Sequence, residues 1–225
     1  MSEDQSLQTA KRIGTGLCFV AFPLTFVFAF GAHPGLLAPH ILSPEELIAR
    51  AHQNGLLQFA HVLVTLSPAV LIVLALHFMK LLDRTSAGWA GLVGASLAVL
   101  GAVMLAAEKG ALCLTMSALD TLPESQFALM MPGLLAIFSF KGWLVMVWGF
   151  LFLPIGFAIQ TIALLKTRSI PRWQGALFLI GVLLVGFPDG AEIVNLTASI
   201  LMAVALVPYG MQLVANKAPQ AALQS

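Results

Sequence analysis

Residues 56–79 read LLQFAHVLVTLSPAVLIVLALHFM, an apolar run without one Asp, Glu, Lys or Arg. A helix rises about 1.5 Å per residue, and a bilayer core of about 30 Å needs roughly 20 such residues to cross it. This stretch meets that length and decides the class of the chain. Five other stretches follow its pattern, which gives six predicted spans at 13–31, 56–79, 88–107, 142–165, 173–187 and 191–214. The third has Leu119 as its longer limit, and the fifth is short enough to draw on Pro171 and Arg172. The prediction is an all-α polytopic membrane protein, with 1–217 as one transmembrane domain and 218–225 as a disordered tail.

Composition agrees with that class. Of 225 residues, 59% are hydrophobic and 9% charged, with a mean hydropathy of +0.94. Soluble domains carry about 25% charged residues, and a core of this size cannot bury such an apolar excess. A net charge of +1 provides no basic face for nucleic acid. Cys18 and Cys113 alone cannot form a disulfide framework. The partner that remains is the lipid bilayer.

Orientation follows from the cations. With the N-terminus inside, Lys11, Arg12, Lys80, Arg84, Lys166, Arg168, Arg172 and Lys217 face the cytoplasm. Arg50, Lys109 and Lys141 face outward, which accounts for all 11 basic residues. Both termini are therefore expected in the cytoplasm, the location being a plasma (inner) membrane. The apolar run of 13–30 exceeds the about 7–15 residues of a secretory signal core, so it is expected to stay as a span.

Between spans one and two, Ser43-Pro44-Glu45-Glu46 has the form of a helix start: a serine cap, proline first and glutamate third. The short helix that follows suits the outer interface, and Asn54-Gly55 reads as its end. In the second outer loop, Pro123-Glu124 opens a segment in which 127–140 carries no charge and Pro132-Gly133 reads as a break. Small residues mark helix contacts: Gly91, Gly94, Ala95, Ala98, Gly101 and Ala102 on span three, and Gly142, Gly149 and Gly156 at seven-residue spacing on span four.

Polar residues at membrane depth are costly and by default mark a site. Gln58, His61 and Thr65 share a face near the outer end of span two. Glu108 and Lys109 lie at the outer end of span three, where a solvated interface pair is the plainest account. Asp189 and Glu192 have the spacing of a helix cap, while Asn195 and Ser199 carry the face of Glu192 further down span six. His33, His40 and His52 read as ordinary loop histidines, and only His77 and Gln160 belong to the inner half. These positions predict an outer-facing polar pocket for a small ligand, with Gln58, His61, Thr65, Glu108, Asp189, Glu192 and Asn195 as its candidates.

No cofactor is expected. His61 and His77 stand about 24 Å apart along one helix, too far to clasp a single haem. Nucleotide and nucleophile fingerprints do not occur. Two alternatives stay open beside ligand binding. One is a membrane-embedded metal-dependent enzyme using His61, Glu108 and Glu192. The other is a small-solute transporter, motivated by Phe22-Pro23 and Leu153-Pro154 in oppositely running spans, as in an inverted repeat.

One region carries a resemblance. GFLFLPIGFA at 149–158, followed by LLKTRSIPRWQGAL at 164–177, is similar to a family of bacterial six-span inner-membrane proteins without an established function. The likeness lies mainly within about residues 145–185: a helix ending in a leucine-rich stretch, a short basic turn with Ser169, Pro171 and Arg172, and another helix. It implies a six-helix fold and a membrane location, and no activity or catalytic residue.

Overall fold

A computed structural model describes residues 3–33, 35–37, 41–138, 144–185 and 191–216. His40, Lys141, Asp189, Lys217 and the tail at 218–225 lie outside the described residues. The described chain is helical without strands: α1 Glu3–Gly31, α2 Pro44–Ala51, α3 Gly55–Leu82, α4 Gly88–Leu119, α5 Glu124–Phe138, α6 Leu144–Thr167, α7 Arg172–Leu184 and α8 Glu192–Val214.

Four of these, α1, α3, α4 and α8, are long and apolar enough to cross a membrane. The helix α7 has 13 residues, or about 20 Å at helical rise. It is shorter than the span read at 173–187.

Six helices close into a ring. Each packs on its neighbour in the order α1, α3, α4, α6, α7, α8 and back to α1. Successive members run in opposite directions. Arg12 near the start of α1 meets the end of α8, donating from Nη1 to the carbonyls of Leu213 and Val214, the latter at 2.6 Å. A cation there satisfies carbonyls that the helix end leaves open. At the other end, His33 beyond α1 meets Glu192 at the start of α8. The two short helices pair separately, α2 on α5.

Glycine permits the close approaches. A Cβ placed on Gly94 of α4 would lie 2.8 Å from the Gly156 carbonyl oxygen of α6, and one on Gly156 would meet the backbone of Gly94 and Ala98. Gly16 and Gly210 bring α1 and α8 together likewise. The predicted small-residue face of span three is buried as expected, including Gly91, Ala95, Ala98 and Ala102. Gln160 crosses this seam, fully buried, and its Nε2 donates to the carbonyls of Ala75 at 2.9 Å and Gly91 at 3.2 Å.

Polarity is arranged for an apolar surround. Leu17, Leu66, Leu92, Ile162, Leu183 and Ile200, one from each ring helix, are exposed. Gln160, Thr161 and Ser199 are fully buried. Thr161 and Ser199 each return their hydroxyl proton to the carbonyl four residues earlier, so neither needs water. The distribution is that of a helical membrane protein.

Three local expectations are corrected. Asn54-Gly55 does not end α2. That helix stops at Ala51 with His52 as its cap, and Asn54 instead caps α3, accepting from the Leu57 amide at 3.0 Å. Gln53 makes the joint in the left-handed region, at φ 54°. Nor does Pro132-Gly133 break the second outer segment, because α5 runs through Pro132. The third span takes its longer limit at Leu119, so Glu108 sits within a continuous helix.

Candidate ligand cavity

The end of the ring covered by α2 holds a partly open cavity of about 430 Å³. The covering helix forms where the sequence specified it. Ser43 Oγ accepts from the Glu46 amide at 3.2 Å, Glu46 Oε2 accepts from the Ser43 amide at 2.8 Å, and Pro44 takes the first helical position. Of the predicted residues, Gln58 and His61 of α3 and Glu192 and Asn195 of α8 line the cavity, joined by Lys109 of α4 and by His33. The rest of the wall is chiefly aliphatic and aromatic. A smaller apolar pocket of about 30 Å³ adjoins it, sharing Phe26, Leu153, Pro154 and Val185 and reaching Phe157, Phe178 and Met202. There the ring is filled by aromatic side chains, with Phe78, Phe157 and Phe178 in mutual edge contact at centroid distances of 5.7–6.3 Å.

The acids are more deeply set than a surface would allow. Glu192 is 3% exposed, and its Oε1 lies 3.5 Å from His33 Nε2. Gly35 N–H points to His33 Nδ1 at 3.4 Å, which assigns the ring proton to Nε2, on the side of Glu192. His33 is therefore a partner of a buried acid, not an ordinary loop histidine. Glu192 is not the third residue after a cap, since α8 starts at Glu192 itself and Ala191 holds the cap position without a side-chain bond, but it stands in the first turn, where a negative charge offsets the helix dipole. Asn195 is 2% exposed, and its Oδ1 has no hydrogen-bond partner among the described residues.

Glu108 is 4% exposed, and its Oε1 lies 3.6 Å from Lys109 Nζ. The acid is buried and the lysine half-buried, which replaces the account of a solvated pair. Of the two, only Lys109 lines the cavity. Thr65 does not line it either. Its hydroxyl donates to the His61 carbonyl at 2.8 Å and lies 3.7 Å from Cys113 Sγ, so it serves the seam between α3 and α4. Among the described residues no three His, Cys, Asp or Glu side chains are grouped so as to hold a metal ion. His61, Glu108 and Glu192 thus form no metal centre.

His52 is the second histidine whose role sequence reasoning missed. Its Nδ1 lies 2.7 Å from Asp120 Oδ1 and its Nε2 2.9 Å from Glu124 Oε2. Its ring stacks on Phe127 with centroids 3.7 Å apart. Hydrogen bonds to Asp120 and then Glu124 raise the imidazole above its ordinary value, outweighing the opposing effect of burial. Gln58 leans the same way, its Nε2 donating to Asp120 Oδ2. In the inner half, His77 Nε2 pairs with Tyr209 Oη at 2.8 Å.

Comparison of the chain with family models, curated proteins and solved structures finds no match.

Proposed function

We propose that this is a six-span integral protein of a bacterial inner membrane, akin to the family it resembles, which binds a small amphiphilic molecule in the cavity at its outer end. Both termini are cytoplasmic in this proposal. Lys80, Arg84, Lys166, Arg168 and Arg172 belong to the ring end that carries Arg12, which supports that direction.

The observation that carries the binding proposal is Asn195. An amide oxygen buried without a partner in a low-dielectric wall costs free energy, of order 1–3 kcal/mol, unless something fills the bond. Here it borders a cavity within the about 300–1,000 Å³ of small-molecule sites, with one polar side and an apolar extension. An acceptor calls for a donor. A ligand with a hydroxyl-bearing head and a short apolar chain meets both demands.

Native mass spectrometry with 1-octanoylglycerol as the probe tests this. One adduct is expected on the wild-type protein at activation energies that strip detergent. Asn195→Leu should weaken the adduct about tenfold, the worth of one buried hydrogen bond of about 1.4 kcal/mol, with thermal unfolding little changed. Adducts distributed statistically and indifferent to the substitution would refute a specific site. Separately, a reporter fused at Arg168 should read cytoplasmic, and an extracytoplasmic signal would reverse the orientation.

A further inference from the structure

The helix α2 packs on α5 and beside the end of α4, outside the main core. Ile48 packs with Phe127 and Leu134 of α5 in a hydrophobic cluster distinct from the main core. Leu47, Ile48 and Ala51 form its share of the cavity wall. At its end, His52 is fixed between two carboxylates, Asp120 after α4 and Glu124 at the start of α5. Carboxylates only accept hydrogen bonds, so this arrangement asks for a proton on both ring nitrogens. Resting on the reading of the cavity as a ligand site, we propose that α2 is a lid, latched by protonated His52 between Asp120 and Glu124 and loosened, through loss of the Glu124 contact, when His52 loses its proton.

The two carboxylates are not equivalent. Asp120 is 9% exposed in its side chain and receives two further donors, the Gln53 amide at 3.2 Å and Gln58 Nε2. Glu124 is 74% exposed. A neutral imidazole keeps its proton on Nδ1 for Asp120, and Nε2 then turns a lone pair toward Glu124. That contact becomes repulsive, and Glu124 is free to turn into water. The charges acting on His52 are those of Asp120 and Glu124. From α3 the adjoining group is the Gln58 amide, and Phe127 of α5 offers a ring face. Within α2, Glu45, Glu46 and Arg50 precede His52 without entering the clasp. Since both bonds hold the proton on, release belongs to the alkaline side of about pH 6.5.

The chain contains its own reporter, because Cys113 lines the cavity. In a Cys18→Ala background, the rate of Cys113 alkylation by N-ethylmaleimide is followed from about pH 5.5 to 9, across the range in which histidine titrates. Wild type, His52→Gln and Glu124→Gln are compared as ratios at each pH, so that ionisation of the thiol cancels. Wild type should react about tenfold more slowly than His52→Gln at the acid end, the scale of a charge-assisted bond, and converge on it at the alkaline end. Glu124→Gln should flatten the profile without removing it. A ratio of one throughout, with 1-octanoylglycerol still bound, overturns the lid and leaves the ligand site standing. No alkylation in any variant, with no probe bound, overturns both.

Discussion

The two ends of the helix ring treat the same material differently. Toward the end that carries Arg12, the ring closes by removing side chains: Gly16 meets Gly210, Gly94 meets Gly156, and Phe19, Phe78, Phe157 and Phe178 fill what remains. Gln160 Nε2 there donates to helix carbonyls and His77 pairs with Tyr209. Toward the end that carries Glu192, bulk is kept apart, a cavity persists, and buried acids stand beside cations or imidazoles. In lipid, helices have no hydrophobic drive to associate and rely on close van der Waals approach. A site is therefore affordable only where another part of the ring supplies that approach. The first end holds the ring together and the second is free to be hollow.

The largest effect expected from this contrast is at the glycine seam. Gly156→Leu would drive a side chain into the backbone of Gly94 and Ala98, and a loss of about 3 kcal/mol in detergent unfolding is expected. An unchanged unfolding midpoint would mean the seam does not hold the ring. Next, Gln160→Leu removes two interhelical bonds whose acceptors are helix carbonyls, so the cost should be smaller, about 1 kcal/mol. At the hollow end a similar enlargement should be tolerated. Ala51→Leu points added volume at the cavity, with a stability change within about 0.5 kcal/mol and reduced binding of 1-octanoylglycerol. A penalty equal to that of Gly156→Leu would show that the two ends are packed alike.

The smallest effect concerns His52. Because its folded-state value is raised, its stabilising contribution is complete below the unfolded value of about 6.5 and disappears as pH rises through the folded value. Wild type should thus exceed His52→Gln in unfolding midpoint at acid pH and match it at alkaline pH. A difference that grows with pH would contradict the clasp.

Much of the fold was legible in local pattern. Apolar length marks a helix wherever water is excluded, so the ranges of α3 and α8 lie close to the predicted ones, α4 starts where it was read but runs on to Leu119, and Ser43 to Glu46 specified α2. Small residues at helical spacing named the face of α4, and Gly156 of the predicted α6 stripe meets it, while Gly142 lies outside the described residues. Half of the site was legible for a related reason: Gln58, His61, Glu192 and Asn195 are conspicuous because polar groups are rare in such runs. His33 and His52 were not legible. Histidines in a loop look ordinary, and what makes these two particular is a carboxylate contributed by a distant helix.

The sequence alone determined that this chain is built chiefly of apolar helices, where the long ones begin, and which end collects cations, since each depends only on residues near one another. Tertiary structure decided which polar groups share a space. It turned Thr65 to the α3–α4 seam, kept Glu108 out of the cavity wall, and set Asn195 in that wall with an open acceptor. Helical spacing fixes the angle of a side chain about its own axis. Whether that angle faces a neighbour, lipid or a hollow depends on how closely the other helices approach, and that follows from glycines elsewhere in the chain.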